Sequence, residues 1–127
     1  MHKILIVGSN GHIGSFLTSQ LIKNQIVSLI SFSDGIINKN FTKVDLTDKN
    51  QVNNYVEKCD HFDVMIFLVG LAHSKGEKKD IKAYRKINFR TLFNLLNSFK
   101  FKKKIPKKII YASTISIYGE RYDCSEY

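Results

Sequence analysis

The sequence predicts an α/β fold, a doubly wound parallel sheet with strand order 3-2-1-4-5. Three observations carry that expectation. Short runs that are apolar almost throughout (Ile4–Val7, Ile26–Ile30 and Asp63–Gly70) read as strands buried on both faces. Segments with helical periodicity lie between strands, so the two kinds of element alternate along the 127 residues. Three glycines, Gly8, Gly11 and Gly14, separate the first strand from the first helix, as expected where backbone must pass close to something held at a helix N-terminus.

Each element has its own warrant. Ile13, Phe16, Leu17 and Leu21 share one face of the first helix. That helix joins strands one and two in a right-handed βαβ unit. Ser31 to Asn40, containing Ser33-Asp34-Gly35 and Asn38-Lys39-Asn40, is turn-like and too short for a full crossover helix. A brief third strand covers Phe41–Val44, and Asp48 then caps a helix with Gln51 as its capping-box partner. That helix turns Val52, Tyr55 and Val56 inward. After the fourth strand and a charged loop, Ser74 to Lys79, a long helix is predicted from about Asp80 to Phe99. Ile81, Tyr84, Asn88, Leu92, Leu95 and Phe99 form one stripe on it, and Phe89, Phe93 and Leu96 form a second. This is more apolar surface than one sheet face needs, and the simplest second contact is a homodimer through the 80–99 helix. A basic loop, Lys100 to Lys108, holds the only proline, Pro106, and leads into a fifth strand, Lys108–Ala112.

Composition narrows the class. The chain is long enough for one domain, residues 1–127, with a real core, and 43% hydrophobic with 24% charged residues is ordinary for a soluble globular protein. The net charge of +9 reads as a lysine-rich exterior with attraction for an anionic cofactor. No recognition motif accompanies the charge, so nucleic acid is not an expected partner. Cys59 and Cys124 share no metal-ligand spacing, so no metal site is expected and a reducing cytoplasm fits. No run is long enough to span a membrane or to serve as a signal segment.

The chemistry gathers at the strand ends. Unpartnered amides at a helix start, with the dipole behind them, form a receptor for a diphosphate. Gly8 serves the tight turn, Gly11 lets backbone approach the ligand, and Gly14 permits close helix–strand contact. The alternative is a glycine-rich turn without a ligand. Asn88 interrupts an apolar stripe, so its amide either reaches the ligand or ties down the neighbouring strand end. Ser113 and Thr114 follow a buried strand, and their hydroxyls emerge either into the ligand crevice or into strand-end turn bonds. Asp45, just beyond the third strand, lies at the adenine side or serves the start of the next helix.

Gly8-x-x-Gly11-x-x-Gly14, Asp45-Leu46-Thr47-Asp48, Phe67-Leu68-Val69-Gly70-Leu71-Ala72-His73, Asn88 and Ser113-Thr114-Ile115-Ser116-Ile117-Tyr118-Gly119 stand in one order and spacing. In these the chain resembles the NAD-dependent epimerase/dehydratase family, the extended short-chain dehydrogenases/reductases, which act mostly on sugar nucleotides. The likeness covers essentially all 127 residues. It implies a Rossmann-type fold with NAD as cofactor, NADP not excluded, and a nucleotide-sugar substrate for the full-length parent. It implies that Gly8, Gly11, Gly14 and the backbone of Asn10, His12 and Ile13 hold the pyrophosphate. By the same resemblance Asp45 accepts from the adenine amino group and Leu46 supplies a backbone contact. Val69, Gly70 and Leu71 would line the cofactor, with Asn88 and Ser113 nearby. Thr114 falls on the catalytic Ser/Thr, which hydrogen-bonds the substrate hydroxyl or carbonyl.

The sequence departs from the family pattern in two places. Strand two ends in Ser31-Phe32-Ser33, with Asp34 late for the residue that meets the adenosine ribose, so NAD versus NADP stays open and Asp34 tips it to NAD. The family's Tyr-x-x-x-Lys pair, where lysine lowers the tyrosine pKa for proton relay, is not found around Tyr118, Tyr122 or Tyr127. The expectation is therefore an N-terminal cofactor half truncated after the fifth strand, inactive alone, with an exposed edge at Ile109, Ile110 and Tyr111 and a tendency to self-associate. The competing expectation is a non-catalytic dinucleotide-binding sensor module.

Overall fold

The computed structural model describes residues 1–35, 38–71 and 81–113. A five-stranded, all-parallel sheet runs β3-β2-β1-β4-β5, the order expected from the sequence. In chain order the elements are β1 (Lys3–Val7), α1 (His12–Leu21), β2 (Ile26–Ser31), β3 (Phe41–Lys43) and α2 (Lys49–Lys58). They continue with β4 (Val64–Phe67), α3 (Ile81–Tyr84), a π-helical stretch (Arg85–Arg90), α4 (Thr91–Phe101) and β5 (Lys108–Tyr111).

Alternation along β1 divides the interior in two. Leu5 and Val7 join Ile30, Met65 and Phe67 on one face, where Val52 and Val56 of α2 and Leu95 and Phe99 of α4 cover them. Ile4 and Ile6 join Val27, Leu29 and Ile66 on the other, against Leu17 and Leu21 of α1. Phe67 and Phe99 are fully buried, and burying such a ring is worth about 1.5–3 kcal/mol. The β2–β3 connection carries no helix among its described residues.

Several local expectations need correction. Ile13 and Phe16 do not face the sheet: they are 61% and 64% exposed, and Gly14 is the buried residue of α1. The helix start lies so close to β1 that only a residue without a side chain fits there, which rotates Ile13 and Phe16 outward. Asp48 caps α2 as expected, accepting from the Asn50 and Gln51 amides. Gln51, however, does not close the box on the Asp48 amide, which donates to the Asp45 carbonyl. Its Oε1 instead accepts from the Asp45 amide at 3.0 Å while its Nε2 donates to Asp48. β4 is Val64–Phe67, shorter than Asp63–Gly70: beyond Phe67 the Leu68 amide still donates to the Val7 carbonyl, and the chain then leaves the ladder. The long helix is broken by a π-helical stretch, with the Thr91 hydroxyl donating to the Ile87 carbonyl inside it. Ile109, Ile110 and Tyr111 of β5 are half exposed, and Tyr111 stacks on Phe67 at 6.1 Å.

At the opposite rim of the sheet, Asp63 ties three segments together. It accepts from Lys107 Nζ at 2.7 Å and from the Lys3 amide at 2.9 Å. The Lys107 hydrogen bond, then that of Lys3, lowers its carboxyl to about 2. A carboxylate lowered by folding stabilises the fold above its ordinary range and loses that contribution as protons bind. Stability should therefore fall between about pH 4 and pH 2, and Asp63→Asn should flatten that part of a urea-midpoint-versus-pH curve. An Asp63→Asn curve parallel to the wild type's would contradict the assignment.

Candidate functional site

The site is built at the C-terminal ends of the neighbouring strands β1 and β4, where the strand order reverses. Gly8 takes a left-handed conformation (φ +86°), which reverses the chain straight off β1. Its amide and that of Ser9 both donate to the Ile30 carbonyl, fixing the turn to β2. A Cβ added to Gly14 would overlap the Gly8 carbonyl oxygen and lie 2.8 Å from Ser9 Cα. Gly14 therefore seats α1 on the turn, and no larger residue fits without displacing backbone.

That seating leaves a cradle. Gly11 is the N-cap of α1 in extended backbone, and no side chain among the described residues caps the helix. The first intrahelical bond runs from the Ser15 amide to the Gly11 carbonyl, while the Gly11 amide is used within the turn, donating to Gly8. The amides of His12, Ile13 and Gly14 have no partner among the described residues. Among the described residues, a Cβ on Gly11 would meet only the Gly8 carbonyl oxygen, at 3.4 Å. Three donors without partners among the described residues, with a helix dipole behind them, fit a diphosphate.

Around the cradle the structure places the other sequence-predicted residues as follows. Asn10 Nδ2 donates to the Ser33 carbonyl at 2.8 Å, joining the glycine turn to the β2–β3 connection that carries Asp34. A groove of about 430 Å³ runs beside them, lined by Ser9, Asn10, Thr18, Leu29, Asp34 and Phe41. Asp34 itself pairs with Lys43 Nζ at 3.0 Å. Asp45 Oδ1 accepts from the Thr47 amide and hydroxyl, and its Oδ2 has no partner among the described residues. The Leu46 carbonyl is already taken by Asn94 Nδ2 at 2.9 Å.

On the β4 side, Leu68 and Val69 abut Gly8, within 3.2 Å of where its Cβ would be. Asn88 grips Leu71 with both ends of its amide: Oδ1 accepts from the Leu71 amide at 2.6 Å and Nδ2 donates to its carbonyl at 3.3 Å. Of the two sequence readings of Asn88, its observed partners are those of the strand-end tie. Gly70, between the grip and the turn, is exposed. Ser113 is exposed beyond β5, after an Ala112 amide that donates to the Phe67 carbonyl. Thr114, the expected catalytic hydroxyl, lies outside the described residues. Sequence reasoning missed Asn94, although a polar residue between Phe93 and Leu95 was a signal, and it missed Lys43, which no pattern marks.

Residues 4–126 match the family described as NAD dependent epimerase/dehydratase. The chain belongs to that family. Among solved structures of this fold, it is similar to a UDP-galactose 4-epimerase (TM-score 0.75, 19% identity), covering 96% of this chain and 41% of that one. The Bordetella bronchiseptica enzyme WbmH, solved in complex with NAD+, gives a TM-score of 0.72 at 22% identity, over 97% of this chain and 42% of that one. A mutant uronate dehydrogenase from Agrobacterium tumefaciens, complexed with NAD, gives 0.67 at 25% identity, over 90% and 41%. The chain thus spans about 40% of the length of these dehydrogenases and epimerases. For an epimerase/dehydratase family member the cleft beneath α2 is a poor catalytic candidate. It is lined by Tyr55 and Cys59, and burial, with a smaller contribution from Cys59, pushes the Tyr55 hydroxyl far above the ordinary phenol range. Burial likewise raises the Cys59 thiol.

The Asn88 grip is testable. Replacement by alanine leaves the Leu71 amide and carbonyl without their partners, at a cost of about 1–3 kcal/mol. Asn88→Ala should lower the urea midpoint accordingly and speed hydrogen exchange at the Leu71 amide. An unchanged midpoint with Leu71 still protected would show that the grip does not hold this strand end.

Proposed function

We propose that this chain is the coenzyme-binding part of an NAD-dependent enzyme that epimerises, dehydrates or reduces a nucleotide sugar. The observation that carries the reading is the set of His12, Ile13 and Gly14 amides, without partners among the described residues, at the switch point between β1 and β4. Family membership supports NAD as the coenzyme, and the solved relatives with NAD bound agree with it. When bound, NAD supplies hydride acceptance and return at a sugar carbon.

In this reading the protein's own residues bind and orient. The His12–Gly14 amides hold the pyrophosphate, with Gly8, Asn10 and Gly11 shaping the turn. The free Oδ2 of Asp45 accepts from the adenine amino group, beside Leu46. Asp34 faces the adenosine ribose. Val69, Gly70 and Leu71, held by Asn88, wall the nicotinamide side, with Ser113 across the crevice, and Thr114 hydrogen-bonds the substrate hydroxyl or carbonyl. The exposed, stacked Phe89 and Phe93 rings support a homodimer through the 80–99 helix. Sedimentation across a concentration range separates dimer from monomer. No helix among the described residues is long and apolar enough to cross a membrane.

The test is made at Gly11. Its backbone is extended, so Gly11→Asp is tolerated, and the new carboxylate is positioned to cap the Ile13 or Gly14 amide in place of a ligand. Calorimetric titration should show NAD binding to the wild-type chain and at least about a hundredfold loss in Gly11→Asp, with a melting temperature equal to or above wild type. Unchanged NAD affinity in the variant would refute the cradle as the pyrophosphate site.

A further inference from the structure

Lys43 is the last residue of β3 and pairs in register with Ser31 at the end of β2. Its ammonium meets both carboxylate oxygens of Asp34, at 3.0 and 3.1 Å. The pair stands on the C-terminal rim of the sheet, on the connection that Asn10 ties to the glycine turn through Ser33. A dinucleotide whose pyrophosphate occupies the cradle lays its adenosine ribose over the end of β2, against this connection.

We infer that Lys43 is a specificity-determining residue for the coenzyme: through its ion pair it offsets the preference for NAD over NADP that Asp34 alone would impose. The inference rests on the coenzyme site proposed above. A lone carboxylate favours the ribose diol of NAD, whose hydroxyls donate to it, and repels the 2′-phosphate of NADP. A lone ammonium does the opposite. Here the two charges lie within hydrogen-bond distance and cancel, so the rim presents neither a net repulsion nor a net attraction to the phosphate. Both side chains are exposed, which leaves each able to turn from its partner to the ligand. The chain therefore discriminates weakly, and either substitution converts it into a selective binder of opposite sense.

Calorimetric titration of the full 127-residue chain with NAD and with NADP, at about 20 mM salt so that exposed charges are not screened, provides the test. The wild type should bind both coenzymes within about tenfold of each other. Lys43→Met should weaken NADP relative to NAD by about tenfold, and Asp34→Asn should strengthen NADP relative to NAD by a similar factor. If wild type binds NAD and both variants keep the wild-type ratio, Lys43 has no part in selection and the inference is wrong. If wild type binds neither coenzyme, the underlying coenzyme site is wrong, and the inference falls with it.

Discussion

The contact between Gly14 and the Gly8 carbonyl governs this structure. A parallel strand ends, the chain reverses through a left-handed glycine, and a helix begins before the chain has moved one side-chain width from the sheet. Because Gly14 has no Cβ, α1 can start there with its axis directed at the crevice. Its first amides then have no partner among the described residues, and the positive end of the helix dipole lies at the crevice. The rest of the fold serves this geometry. Ile30 anchors the turn from β2, Leu68 and Val69 wall it from β4, and Asn88 holds the chain beyond them.

The two rims of the sheet carry different kinds of charge. At the N-terminal rim Asp63 is spent on structure, gathering Lys3 and Lys107, and its depressed carboxyl records how fully it is used. At the C-terminal rim the polar groups are less committed. Three helix amides and Asp45 Oδ2 lack partners among the described residues, and the Asp34–Lys43 pair is exposed. A net charge of +9 draws anions to the surface in general, but it is this directional set of donors that distinguishes one place from the remainder.

The buried strands were legible in the sequence because a doubly buried strand leaves almost no polar residue in its run, as in Ile4–Val7, and their alternation with helices gave the wound order. The glycine turn was legible for a steric reason that spacing alone expresses. What escaped notice depended on distances between elements. Ile13 and Phe16 match the helical period of the core face, yet the close seating of Gly14 turns them to solvent. The π-helical stretch at Arg85–Arg90 is marked by no residue type or breaker, so its sequence reads as ordinary helix. Gln51 found the Asp45 amide rather than the Asp48 amide because the turn between them folds back on itself. Lys43 and Asp34 are separated by a turn whose shape no local pattern gives, so their meeting could only be seen in three dimensions.

The most direct measurement is a nitrogen-15 amide spectrum of the chain recorded as NAD is added. The backbone signals of His12, Ile13 and Gly14 should move most and gain protection from solvent exchange, with smaller changes spreading to Asp45 and Gly70. Spectra in which those three signals stay fixed while NAD perturbs a different surface would contradict the account.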